Sequence, residues 1–159
     1  MVTTAQNSDQ KSGYDVVTGR PVTVGTAINQ GDMVYNVGST TYSLAPVTSD
    51  GNAATFEGIS EDTYPTASLA TKEAEVDGIR VRRHGIVNMN MTSAETYHHG
   101  DALYVGADAQ TVTNTPGTGL GALVNIVGYV CLTKNVTSLA YSATGKVPML
   151  IVPILPAGV

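Results

Sequence analysis

His98-His99-Gly100-Asp101 is the cluster in this sequence best supplied for chemistry, because two imidazoles and a carboxylate are ordinary metal ligands. Neighbouring residues on a strand point to opposite faces, so adjacent histidines chelate one ion poorly. No Cys-x-x-Cys, His-Glu-x-x-His or calcium-loop spacing accompanies them. The cluster reads as a polar turn ahead of a strand, and neither a metal nor a cofactor is expected. Cys131 is the only cysteine and sits in the apolar run Val127-Gly128-Tyr129-Val130-Cys131-Leu132, which predicts a buried, inert thiol. No Gly-x-Ser-x-Gly nucleophile elbow is present. Glu57, Glu61 and Asp62 could supply a pair of catalytic carboxylates, but the chain has no Trp to make a sugar platform, so a solvated loop is the expected setting. Gly117-Thr118-Gly119-Leu120-Gly121 lacks the following helix that a phosphate cradle needs. No catalytic residue is expected, and the reading is non-enzymatic.

Arg80, Arg82 and Arg83 form the one basic cluster. Arg80 and Arg82 share one face of a strand whose other face carries Ile79 and Val81. Such a face is either simply solvated or a cationic stripe that meets carboxylates on a partner subunit, where guanidinium forks bind well. Nucleic acid is not an expected partner, since the net charge is -5 and no broader basic patch exists.

The elements that must carry these residues are short strands. Charged residues make up 13% of the chain, about half the usual share, while Thr, Val, Gly and Tyr are plentiful, a palette of strands and tight turns. Period-two alternation is clearest at Val87, Met89 and Met91 against Asn88 and Asn90, and recurs at Val22 and Val24 and at Ile79 and Val81. Further strands are expected at 33–36, 41–44, 55–60, 102–105, 111–113, 123–132 and 146–154. Asp50-Gly51-Asn52, Asp77-Gly78 and the 114–119 segment separate them, and only 67–75 could make a helix, of two turns at most. The fold class expected is all-β, a compact β-barrel or β-sandwich of short strands and long hairpin loops. Residues 1–20 are polar and aperiodic and read as an extended N-terminal arm ahead of a β domain over 21–159. No signal-peptide core and no bilayer-length apolar run is present, so synthesis in a cytoplasm and no membrane partner are expected.

The two halves share a pattern. A small-residue loop leads into Gly31-Asp32-Met33-Val34-Tyr35, and another leads into Gly100-Asp101-Ala102-Leu103-Tyr104. A Gly-containing strand follows each, at Gly58 and at Gly128. Glycine supplies the unusual backbone angles of a turn and Asp bonds back onto nearby amides, making Gly31, Asp32, Gly100 and Asp101 candidate structural turns. The β domain then divides into two related units, 22–60 and 87–130; good turn chemistry used twice is the other explanation.

Arg83-His84-Gly85-Ile86-Val87, followed by Gly100-Asp101-Ala102-Leu103-Tyr104, a hairpin, Val127-Gly128-Tyr129-Val130 and the apolar 147–154 segment, resembles the small capsid decoration (cement) proteins of tailed phages. The resemblance runs over 22–154 and rests on short, turn-dominated motifs. It implies a β-tulip-like body without catalytic residues, a homotrimer bound to the major capsid protein, and a place on the exterior of the virion. Capsid or partner contacts are expected on the arm, at Val2, Thr3, Thr4, Gln6 and Asn7, and on the cationic face at Arg80, Arg82 and Arg83. Another phage virion β-domain (tail, baseplate or head fibre) and a carbohydrate-binding β-sandwich are the alternatives; the second would want more exposed aromatics than Tyr97 and Tyr104 offer.

Overall fold

The computed structural model describes the backbone of residues 16–20 and, in full, residues 22, 26–37, 44–48, 55–64, 79–116 and 125–153. Among the described residues there is no helix, and the chain is all-β. The strands are β1 (Val16–Arg20), β2 (Met33–Asn36), β3 (Leu44–Pro46), β4 (Phe56–Ser60), β5 (Ile79–Arg82), β6 (Ile86–Met91), β7 (Thr96–His98), β8 (Ala102–Val105), β9 (Thr111–Thr113), β10 (Gly128–Val130), β11 (Ser138–Ala140) and β12 (Lys146–Ile151). The expected arm therefore gives its last five residues to β1, which pairs antiparallel with β5. Residues 1–15, with Val2, Thr3, Thr4, Gln6 and Asn7, lie outside the described residues, as do 67–75 and 117–121.

Strands β10-β12-β6-β9-β8 form a closed barrel. Its neighbours are antiparallel except at the closure, where β6 and β9 run parallel through Asn90↔Thr111 and Met91↔Val112. The alternation in β12 shows why the wall forms: Val147, Met149 and Ile151 are buried inside, whereas Lys146 and Leu150 face out. Strands β1-β5-β4-β2-β3 form a second five-stranded sheet. Its two edges touch at one parallel bridge, Val22↔Leu44.

The two sheets repeat each other strand for strand. Reading β6, β12, β10, β8 and β9 against β1, β5, β4, β2 and β3 gives the same order. The registers match as well. Val34 lies opposite Gly58 and Leu103 opposite Gly128. Ser60 lies opposite Val81 and Val130 opposite Met149, and Val17 opposite Val81 corresponds to Val87 opposite Met149. The bridge Val22↔Leu44 stands where β6 and β9 close the other barrel. The antiparallel bridge Ile28↔Tyr64 stands where Tyr97 faces Leu139 in the small β7–β11 sheet. These correspondences extend from β1 to β12, wider than the 22–60 and 87–130 units.

Backbone chemistry fixes both turns alike. Gly31 and Gly100 have φ of 92° and 89°, a region that glycine enters without penalty. The Asp32 carboxylate accepts from the Asn29 amide at 2.7 Å, and that of Asp101 from the His98 amide at 2.8 Å. The Gly31 amide donates to the Ser60 carbonyl and the Gly100 amide to the Val130 carbonyl, both at 2.8 Å. The first sheet encloses its own core of Val22, Ile28, Val34, Leu44, Tyr64, Ile79 and Val81. A larger core fills the closed barrel and takes in Met33, Val47, Phe56 and Ile59 from the outer face of the first sheet, so the two bodies pack together.

Candidate functional site

The reactive groups singled out from sequence are tied into the framework. His98 ends β7, and His99 turns back so that its Nδ1 accepts from the Leu132 amide at 3.0 Å. His98 Nδ1 lies 3.5 Å from the Asp101 carboxylate, which also accepts from the Asn114 side chain at 3.1 Å. Partial burial of Asp101 disfavours its charged form, but the His98 amide and Asn114 outweigh this and hold the carboxyl below its usual range. Among the described residues no group of three or more His, Cys, Asp or Glu could hold a metal ion. Cys131 is half-buried rather than buried; it lies just beyond the end of β10, with its amide still bonded to the Pro148 carbonyl of β12.

Each of the three arginines meets a carboxylate of its own chain. Arg80 forks onto Asp62 with contacts of 2.7 and 3.1 Å, and this bond is the main reason that the Asp62 carboxyl lies below its usual range. Arg82 pairs with Glu61, and Arg83 donates to Glu57 at 2.8 Å. Glu57 is not on a solvated loop. It lies within β4, almost wholly buried, where Arg83 supplies the countercharge that such burial requires. Arg83 belongs to the three-residue connection between β5 and β6, so this pair fastens the first sheet to the link between the two bodies.

Sequence reasoning missed a second polar centre. The Tyr97 ring is fully buried; its hydroxyl accepts from the Thr92 amide at 2.8 Å and lies 2.7 Å from Glu95 and 3.0 Å from the Val112 carbonyl. Glu95 also receives the Thr113 hydroxyl and the Asn114 amide. Burial, with the Glu95 carboxylate next in effect, pushes the Tyr97 phenol well above its usual value. It stays protonated and cross-links three segments. Nothing in the local spacing marks it, because its partners are contributed by β9 and by the turn after β6.

Two shallow clefts lie where the bodies meet. One, of about 380 Å³, is lined by Asn29, Asp32, Pro46, Asn90, Asp108 and Gln110 among others. The other, of about 290 Å³, lies between Ile59, Glu61 and Arg82 on one side and Ile86 to Met89 on the other. Across the first, Gln110 donates to the Asp32 carboxylate at 2.8 Å, and the Met33 amide donates to the Ala109 carbonyl at 2.6 Å. These are joints between the bodies, and among the described residues they bring together no acid, base and nucleophile in hydrogen-bonding sequence.

Of the exposed large apolar side chains among the described residues, Val37, Val136 and Tyr141 stand apart on connections, and the other three lie on the outside of the closed barrel. Ile86, Leu150 and Tyr129 are 49%, 42% and 38% exposed, and the ladder sets them side by side: Ile86 faces Leu150, Leu150 faces Tyr129, and Tyr129 faces Ala102. Aliphatic and aromatic groups in one row across four strands make a surface suited to docking. No protein-family model matches the sequence, and no curated protein matches it.

Proposed function

We propose that the chain is a structural virion protein, a decoration protein that binds the outer surface of a phage capsid lattice as a homotrimer and stabilises the mature head. The observation that carries this reading is the division of labour among the side chains. The arginines, Glu57, Glu61, Asp62, Glu95, Tyr97, Asp101 and His99 are used in joining strands and bodies. Large apolar groups are left outside. That is the chemistry of a part that covers a neighbour's surface. The short motifs around Gly85, Gly100-Asp101 and Gly128 supply the resemblance to capsid decoration proteins. With Arg80, Arg82 and Arg83 held internally, the arm residues Val2, Thr3, Thr4, Gln6 and Asn7 carry the proposed capsid contact, as an extended segment that adds to a neighbouring sheet edge.

Binding that favours one state of a shell stabilises that state alone. Purified expanded heads and unexpanded proheads are mixed with the protein and sedimented. Saturable cosedimentation with expanded heads, lost on deleting residues 1–13, is expected. Equal or absent binding to both particles would refute the capsid reading, and full occupancy by the truncated protein would remove the arm from it.

A further inference from the structure

The correspondence between the two bodies shows what normally covers the exposed row. Ala102, Tyr129 and Leu150 of the closed barrel occupy the places of Met33, Ile59 and Arg82 in the first sheet, pair for pair. In the first sheet this face is covered: Met33 is 0% and Ile59 4% exposed, and both belong to the core that they share with the closed barrel. Asp32 and Asp101 tell the same story. The Asp32 carboxylate is buried and takes a hydrogen bond from Gln110 of the next body. The Asp101 side chain is 31% exposed and finds its extra donor, Asn114, within its own barrel. The turn glycines agree: a side chain grown at Gly31 would meet Gln110, whereas one at Gly100 would meet nothing. Three separate positions thus mark one surface, covered by a following body in the first sheet and left open in the second.

We propose that this open surface, centred on Tyr129 and Leu150, receives the first sheet of a second copy of the chain, so that copies join head to tail by repeating the contact that each makes inside itself. A second copy is the fitting occupant because the element that lines the covered face within the chain is the start of β6, across the cleft from Ile59 and Arg82. The counterpart of β6 is β1. The closed barrel of another copy cannot serve, since its β6 side already lies on its own first sheet. The contact is heterologous, uniting different surfaces of the two copies, and such contacts close into rings when the rotation between copies divides the circle. This inference stands on the correspondence alone and does not need a capsid.

The purified full-length chain is examined by light scattering coupled to size exclusion, beside Y129D/L150D and the control V136D, which changes an equally exposed residue outside the row. The wild type and V136D are expected to run as one assembly of several copies, and Y129D/L150D as a monomer with an unchanged circular dichroism spectrum. A monomeric wild type, or a double variant that assembles as before, would overturn the proposal. For polarity, V16C and Y129C are prepared separately in a C131S background and mixed under mild oxidant, because Val16 and Tyr129 are the counterparts of Ile86 and Ile59, which line one cleft within the chain. A disulfide between the two different variants is expected; Y129C linking only to itself would show a face-to-face pair and overturn the head-to-tail arrangement. Self-association that persists when head binding fails removes only the capsid reading.

Discussion

The first sheet and the closed barrel use one backbone plan with different side chains, and the contrast separates what the plan requires from what it tolerates. Required are the two Gly-Asp turns and the close approach at Gly58 and Gly128. The interior is negotiable. At the paired positions Ile28 and Tyr64, the aromatic is on the second residue; at Tyr97 and Leu139 it is on the first, and there it brings the Glu95 centre with it. The second residue of β5 and the third of β12 are instructive too. The Arg80 amide is held by Asp62 at 2.8 Å, and its carbonyl accepts from the Glu61 amide. The corresponding residue is Pro148, whose carbonyl accepts from Cys131 and which has no amide to satisfy. One body supplies an acceptor for a donor outside the ladder; the other removes the donor. Both answers leave no orphan.

The sharpest way to break the comparison is at the shared glycines. A Cβ at Gly58 would lie 2.2 Å from the Arg82 carbonyl oxygen, and one at Gly128 2.5 Å from the Leu150 carbonyl oxygen, the matching atom. Backbone cannot swing aside as a side-chain end can. Gly58 also has φ of 152°, outside the range that other residues adopt readily. Overpacking costs about 1–3 kcal/mol and backbone strain a similar amount, so Gly58→Ala is expected to cost about 4 kcal/mol. Gly128→Ala, without the strain, is expected to cost about 2 kcal/mol. Urea unfolding followed by circular dichroism measures both. Equal and small losses would mean that the two bodies do not share this constraint.

Tyr97→Phe tests the part that only the closed barrel has. The variant removes the hydroxyl that Thr92 and Glu95 share, leaving the Thr92 amide its longer bond to the Val112 carbonyl and Glu95 its bonds from Thr113 and Asn114, at a cost of about 1 kcal/mol. The pH dependence gives a second signature. The phenol is pushed above its ordinary value near 10, so the folded chain keeps the proton longer than the unfolded chain does. Its contribution is complete below that ordinary value and declines as the pH rises above it, because the unfolded state is then favoured by ionising. Tyr97→Phe should therefore be less stable at neutral pH and show a shallower alkaline decline than the wild type. An alkaline limb of unchanged slope would take Tyr97 out of that titration.

How far the sequence reveals this plan depends on the range of the interaction. Strands β2, β8 and β9 fall at 33–36, 102–105 and 111–113, where alternation and flanking turns place them, because those signals are local. The all-β class follows from the same signals. Strands β7 and β11 escaped notice because Thr96-Tyr97-His98 runs into polar residues and Ser138-Leu139-Ala140 has only one large side chain. The parallel closure of β6 on β9 is a tertiary event that no alternation reports. The acids opposite the arginines illustrate the same limit. Period two tells which face of β5 carries Arg80 and Arg82, but not that the chain after β4 returns Glu61 and Asp62 to that face. Leu150 was the readable hint of the docking row, a large apolar side chain on the face opposite Val147, Met149 and Ile151.

The smallest expected effect sharpens the comparison at one turn. Ala94 has φ of 64°, the only non-glycine residue with positive φ among the described residues. A side chain there costs roughly 1–2 kcal/mol relative to a residue without Cβ, while glycine gives back roughly 0.5–1 kcal/mol through the freedom of the unfolded chain. The difference favours Ala94→Gly by about 0.5 kcal/mol, a rise of roughly 1–2 °C in Tm for a chain of this size. The sequence offers a natural parallel, since the residue 69 positions earlier, the spacing that relates Gly31 to Gly100, is Gly25. Differential scanning calorimetry of the wild type and Ala94→Gly measures the shift. A fall in Tm would mean that the methyl group stabilises the turn by more than its backbone strain costs, and that the two bodies diverge here by design of packing rather than by an unrepaired substitution.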